Sequence, residues 1–159
     1  MKKIQNIVLL TLTLAFLALL AATPALAAKP LHHASGGGFF VLQSSGGGSN
    51  DIMFAFTAHQ PNDDGDAMGQ FEQHNLSNGG IVHLEIVHME VDGNEVWLFG
   101  EVTKSINTNA GIGDERAVRL LDNGQGKNAP LDMRSKLYKP TYPPSFDILP
   151  LDGGNIKIR

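Results

Sequence analysis

Ile81-Val82-His83-Leu84-Glu85-Ile86-Val87-His88-Met89-Glu90-Val91-Asp92-Gly93-Asn94-Glu95-Val96-Trp97-Leu98-Phe99 is the stretch that decides the fold of this chain. Two runs rich in β-branched and aromatic residues flank an Asp-Gly pair, a strong short-range signal for a β-hairpin. The pattern predicts strands over Ile81 to Val91 and Glu95 to Lys104, joined by Asp92-Gly93-Asn94. The first strand has a fault in its rhythm. Val82, Leu84 and Ile86 share one phase, whereas Met89 and Val91 sit in the other. One extra residue at Val87-His88 repairs the mismatch, so a β-bulge is expected there.

Moving toward the N-terminus, Asp51 to His59 alternates cleanly. Ile52, Phe54, Phe56 and Ala58 share one face and Met53, Ala55 and Thr57 the other, the mark of a strand with one buried side. Pro61 to Asp66 reads as a turn, Ala67 to Asn75 as the returning strand, and Asn78-Gly79-Gly80 as the turn into the long strand. Gly38 to Gln43 is a further strand, set off by the glycine-rich loop from Ser44 to Asn50. Toward the C-terminus come a loop at Ile106 to Asp114, a strand at Glu115 to Asp122, a polar loop at Asn123 to Pro130 and a strand at Asp132 to Tyr138. Pro140, Pro143, Pro144 and Pro150 mark an extended segment covering an edge, and Asn155 to Arg159 closes the chain. Helical periodicity over three turns is absent beyond residue 27. The expected fold is therefore all-β, a single antiparallel β-sandwich or small barrel of about seven or eight strands.

The first 27 residues have the three-part design of a secretory signal peptide. Lys2 and Lys3 supply the positive start, Ile7 to Ala22 an uncharged apolar run, Pro24 a break and Ala25-Leu26-Ala27 a small-x-small cleavage box. The run of about 16 residues is shorter than a spanning helix needs. No cysteine follows the box, which excludes a lipoprotein anchor, and no second apolar run follows, so no membrane span is expected after cleavage. The expected organisation is a signal peptide at 1–27, a flexible leader at 28–37 and one all-β domain at 38–159. The expected setting is bacterial, secreted or periplasmic.

Composition excludes whole classes of chemistry. The chain has no cysteine, so disulfides, thiol catalysis and thiolate metal sites are ruled out. Without Lys2 and Lys3 the net charge falls to about −6, which argues against a nucleic-acid partner. The glycine-rich loops lack the lysine of a phosphate cradle and lead into no helix. A Gly-x-Ser-x-Gly elbow is also missing.

Three groups of residues could carry chemistry. His83 and His88 lie five apart on the long strand. The proposed bulge turns both outward, with Glu85 between them and His74 on the preceding strand, a set suited to zinc or copper. The competing reading is ordinary surface histidines. Asn62, Asp64 and Asp66 occupy the first oxygen positions of a calcium loop, but Ala67 stands where glycine is needed and Gln73 where glutamate is needed, so a plain turn accounts for them. In the run Asp122-Asn123-Gly124-Gln125-Gly126-Lys127-Asn128-Ala129-Pro130-Leu131-Asp132, the residues Asp122, Asn123, Asn128 and Asp132 either converge on a cation or cap backbone amides of a turn.

The Ser-Gly-Gly-Gly start, Phe54-Ala55-Phe56-Thr57-Ala58-His59, Val91-Asp92-Gly93-Asn94, the Asp122 to Pro130 run and Gly153-Gly154-Asn155-Ile156-Lys157-Ile158 together resemble a family of small exported bacterial β domains, the post-COAP-1 type associated with choice-of-anchor segments. The similarity spans roughly Ala34 to Arg159, and its specific part is Asp-Asn-Gly-x-Gly-x-Asn-Ala-Pro. The resemblance implies cysteine in the long strand of many relatives, where this chain has Val87-His88. It implies an exported domain with no established reaction, so no catalytic residue is carried over.

The leading expectation is a non-enzymatic exported β domain, a structural or binding module at the cell exterior facing a cell-surface or extracellular component, with no cofactor. A second is a carrier of small apolar ligands, its barrel interior lined by residues such as Phe54, Phe56, Leu84 and Trp97. A third is a secreted metal-dependent hydrolase.

Overall fold

The computed structural model describes residues 31–43, 48–62, 64–140 and 147–159. The readings of residues 1–27 as a signal peptide, and of Pro143 and Pro144 as edge cover, fall outside these residues. Nine strands follow in chain order: β1 (His32–Gln43), β2 (Ser49–Gln60), β3 (Asp66–Asn75), β4 (Gly80–Asp92), β5 (Glu95–Ile106), β6 (Glu115–Leu121), β7 (Met133–Ser135), β8 (Ile148–Pro150) and β9 (Gly153–Ile158). They form one antiparallel sheet in the order β8-β7-β6-β5-β4-β3-β2-β1-β9, a meander with the last strand laid beside the first. The fold is all-β as expected, with nine strands among the described residues rather than seven or eight. The additional pairing comes from β8, a three-residue edge strand ending in Pro150, where proline's missing N–H costs no ladder bond.

The hairpin at Asp92 to Glu95 closes through Gly93-Asn94, and Gly93 takes φ 60°. Glycine at the first central position suits the primed turn whose twist matches the strands. The bulge lies where the rhythm broke. Ile86 opposes Gly100 and His88 opposes Phe99, leaving Val87 as the extra residue. The bulge keeps Val82, Leu84, Ile86 and Met89 all buried.

Alternation sends one face of every long strand inward. Phe40, Ile52, Phe54, Phe56, Phe71, Leu84, Ile86, Leu98, Leu120 and Ile156 form one buried cluster enclosed by the curl of the sheet. Phe54 is its centre, stacked against Phe56 and Phe71 and edge-on to Phe40. Trp97 corrects one expectation. Val96 and Leu98 take the inward phase, which leaves Trp97 on the outer face beneath the Arg119 guanidinium, 5.6 Å from its ring. Arg119 is itself held by Glu95 through bonds of 3.0 and 2.5 Å.

The leader reading at 28–37 is also corrected for residues 32–37. β1 begins at His32 and pairs with β2 along its length and with β9 from Ala34. Its glycines looked like loop signals because they lack β propensity. Their role is close approach: a Cβ on Gly36 would collide with the Asn155 carbonyl oxygen, and one on Gly37 would lie 2.8 Å from the Phe54 carbonyl oxygen. Only glycine lets β1 run so close to both neighbours.

β8 and β9 sit at opposite edges of the sheet yet are separated in sequence only by Leu151 and Asp152. The two edges are therefore drawn together. The Asp132 carboxylate accepts the Ile156 N–H at 2.6 Å and the Asn123 N–H at 2.8 Å. The Asp122 carboxylate accepts the Ile158 N–H at 3.0 Å and the Gly124 N–H at 2.8 Å. Carboxylates thus satisfy amides on the outer edge of β9 where a tenth strand would otherwise be needed.

Candidate functional site

β7 is only three residues long, yet it places the most unusual side chain of the chain. Its middle residue, Arg134, points inward and is fully buried. Nε donates to the Ser135 carbonyl at 2.8 Å and Nη2 to Gln73 Oε1 at 2.8 Å, while Nη1 has no hydrogen-bond partner. The guanidinium lies 4.6 Å from the rings of Phe40 and Phe54 and 5.2 Å from that of Phe71. Among the described residues no carboxylate pairs with it, and burial alone pushes it down to about 9, still charged at neutral pH. Three aromatic faces at about 2 kcal/mol each when desolvated offset part of the cost of burying a cation. Among the described residues no anion compensates the positive charge.

Above this cation the curled sheet opens. A cavity of about 570 Å³ is walled by Phe40, Ile52, Gln73 and Val82, and its mouth carries polar groups such as Asn78, Asn107 and Lys136. Phe40 and Gln73 are shared: each lines the cavity and also touches Arg134, which does not line the cavity itself, whereas Arg116, paired with Asp114, does. Phe54, Phe56 and Leu84 face the core, as the carrier reading expects, though packed into the filled part of it. Sequence reasoning missed Arg134. A basic residue in a short polar strand reads as surface, and its burial depends on Gln73, 61 residues away, and on three phenylalanines of other strands.

The outer face holds a second arrangement. Glu72 and His74 lie two apart on β3, and His83 stands directly opposite Glu72 on β4. The three offer donor atoms that all lie within 4.8 Å of one another. Glu72 Oε1 contacts His74 Nε2 and lies 3.5 Å from His83 Nε2, and the two rings are stacked with centroids 6.4 Å apart. The hydrogen bond from His74 holds the Glu72 carboxyl below the usual carboxylate range. Desolvation opposes this, and the charges of His83, His74 and Lys104 assist it.

The histidine set expected from sequence is thus divided. His74 and His83 come together. His88 is on the outer face as the bulge requires, but it pairs with Glu90 at 3.3 Å and packs on Phe99. Glu85 projects outward opposite Gln70 and Glu101, and Glu72 holds the place in the cluster that Glu85 was expected to fill. The signal for Glu72 was present in the sequence, since Glu-x-His on a strand puts both side chains on one face.

The Asp122 to Asp132 run is a clasp. All four oxygens of Asp122 and Asp132 accept backbone amides, Asn123 Nδ2 donates to the Leu131 carbonyl at 2.6 Å, and Asn128 is exposed in the turn. In the Asn62 to Asp66 turn, Asp64 accepts the Asp66 N–H at 3.1 Å and the Asn62 side-chain amide at 2.5 Å, while Gly65 takes φ 87°. No family model matches the chain, and no curated protein or solved structure matches it either.

Proposed function

We propose that the chain is a non-enzymatic exported binding module that takes a small amphiphile with an anionic head into the mouth of its curled sheet. One observation carries the reading: Arg134 is a buried cation with a free Nη1 donor and, among the described residues, no counter-charge, separated from an open cavity by Phe40 and Gln73, which line that cavity and touch the guanidinium. A buried unpaired charge costs several kcal/mol, and its replacement by packed apolar residues is often neutral or stabilising. If the Phe40 and Gln73 side chains move aside, a carboxylate or phosphate meets a guanidinium with a donor to spare, and such charge-assisted bonds are the strong ones. Among the polar groups of the lining, Phe40, Leu42, Ile52, Val82 and Leu137 supply apolar wall for an alkyl or aromatic tail, and 570 Å³ falls in the range of ordinary small-molecule sites. The signal-peptide pattern supports an exported setting, and the resemblance to post-COAP-1 domains accords with a module lacking a reaction of its own.

The test is a displacement titration with a fluorescent acyl-chain probe. Dodecanoate is expected to displace it, dodecanol more weakly, and dodecyltrimethylammonium least. Equal displacement by all three, or none by dodecanoate, rejects the proposal.

A further inference from the structure

On the outer face of the sheet, away from that cavity, we propose a second site: Glu72, His74 and His83 bind one divalent transition-metal ion, copper more tightly than zinc. Three observations converge. First, the donors are an oxygen and two imidazole nitrogens within 4.8 Å of one another. Ligands about 2.0–2.1 Å from a tetrahedral ion lie about 3.3 Å apart, and Glu72 Oε1 to His83 Nε2 is already 3.5 Å. The Glu72–His74 contact is closer than that spacing, so one of these two side chains swings aside as the ion enters, while Glu72 and His83 stay nearly in place. Second, His83 Nε2 is buried and has no hydrogen-bond partner. Its neighbour Glu72 Oε1 at 3.5 Å is an ion-pair contact and not a hydrogen bond, and a metal held between the two would satisfy the nitrogen. Third, all three side chains stand on paired strands with a fixed register, which makes the site more rigid than one on a loop.

Donor chemistry selects the ion. Calcium and magnesium require oxygen cages, so two imidazoles and a single carboxylate disfavour both. Copper exceeds zinc at such nitrogen-oxygen sites. Met53 lies opposite His74 on β2, half exposed, and lines a hollow of about 240 Å³ with Glu72 and His74. A thioether beside this hollow would suit the cuprous state rather than the divalent ion, and the hollow leaves room for an exchangeable fourth ligand. Lys104 opposes His83 from β5 on the other side.

The experiment is calorimetric titration of the tag-free chain with Cu²⁺ and Zn²⁺, then with Mg²⁺ and Ca²⁺. One Cu²⁺ per chain is expected, with weaker Zn²⁺ and no response to the others. Loss even of an outer partner weakens metal sites about tenfold or more, so Glu72→Gln, His74→Asn and His83→Asn should each cost at least that. His59→Asn and His88→Asn should leave affinity unchanged. Full affinity in the His74→Asn/His83→Asn double variant overturns the proposal, as does absence of binding at about 1 mM ion, the limit of weak affinity. If the variants do not fold, ring resonances of the wild-type chain decide under Zn²⁺. Perturbation at His74 and His83 supports the site, and perturbation confined to His32, His33 or His59 removes it.

Discussion

Gln73 Oε1 accepts a 2.8 Å hydrogen bond from Arg134 Nη2 inside the curled sheet, joining β3 to β7 across 61 residues of sequence. Both residues have their polar ends in an otherwise apolar interior. Gln73 satisfies one guanidinium nitrogen without neutralising the charge, and Nη1 remains unsatisfied. The cation is thus held one residue layer from the cavity that Gln73 also lines.

Replacing the pair by apolar residues of similar size therefore separates stability from binding. The Arg134→Met/Gln73→Leu variant should unfold at a urea midpoint no lower than wild type, because exchanging buried ionic groups for packed apolar ones is often neutral or stabilising by about 1–4 kcal/mol. The same variant should lose the preference for dodecanoate over dodecanol. A variant that keeps that preference shows that Arg134 does not receive the head group.

Asp132 should matter more than Asp122. Asp132 is buried and its carboxylate takes the buried Ile156 amide, whereas Asp122 reaches a part-buried one. Asp132→Ala is expected to cost about 2–4 kcal/mol, from lost charged hydrogen bonds and stranded amides. Asp122→Ala should cost about half of that. Urea unfolding followed by fluorescence of the single tryptophan, Trp97, measures both, and equal losses argue against a closing role centred on Asp132.

Gly36→Ala should destabilise by about 1–3 kcal/mol, because its Cβ meets backbone of β9 that cannot turn away. Gly48→Ala, which meets nothing within 4 Å, should be neutral or slightly stabilising through the unfolded chain. Protection of the Ile156 and Ile158 amides from hydrogen exchange should fall in the first variant only.

The strands were legible wherever side-chain alternation and turn chemistry agree locally. Asp51 to His59 announced its buried face, Asp92-Gly93-Asn94 its hairpin, and the phase break at Val87-His88 its bulge. β1 escaped notice from His32 to Gly37 because Gly36 is explained by the backbone of β9, more than a hundred residues away, and Gly37 by that of β2. The candidate sites were half visible. His74 and His83 could be named, but Glu72 displaced Glu85 once cross-strand register was set.

The amino-acid sequence on its own determined that the chain pairs extended segments into an antiparallel meander, since that follows from period-two patterning and positive-φ turn residues acting over a few neighbours. Only the tertiary structure decided which polar groups became special. The curl of the sheet buried Arg134 among three phenylalanines and turned Asp122 and Asp132 into a clasp, because burial and charge depend on what arrives from distant strands.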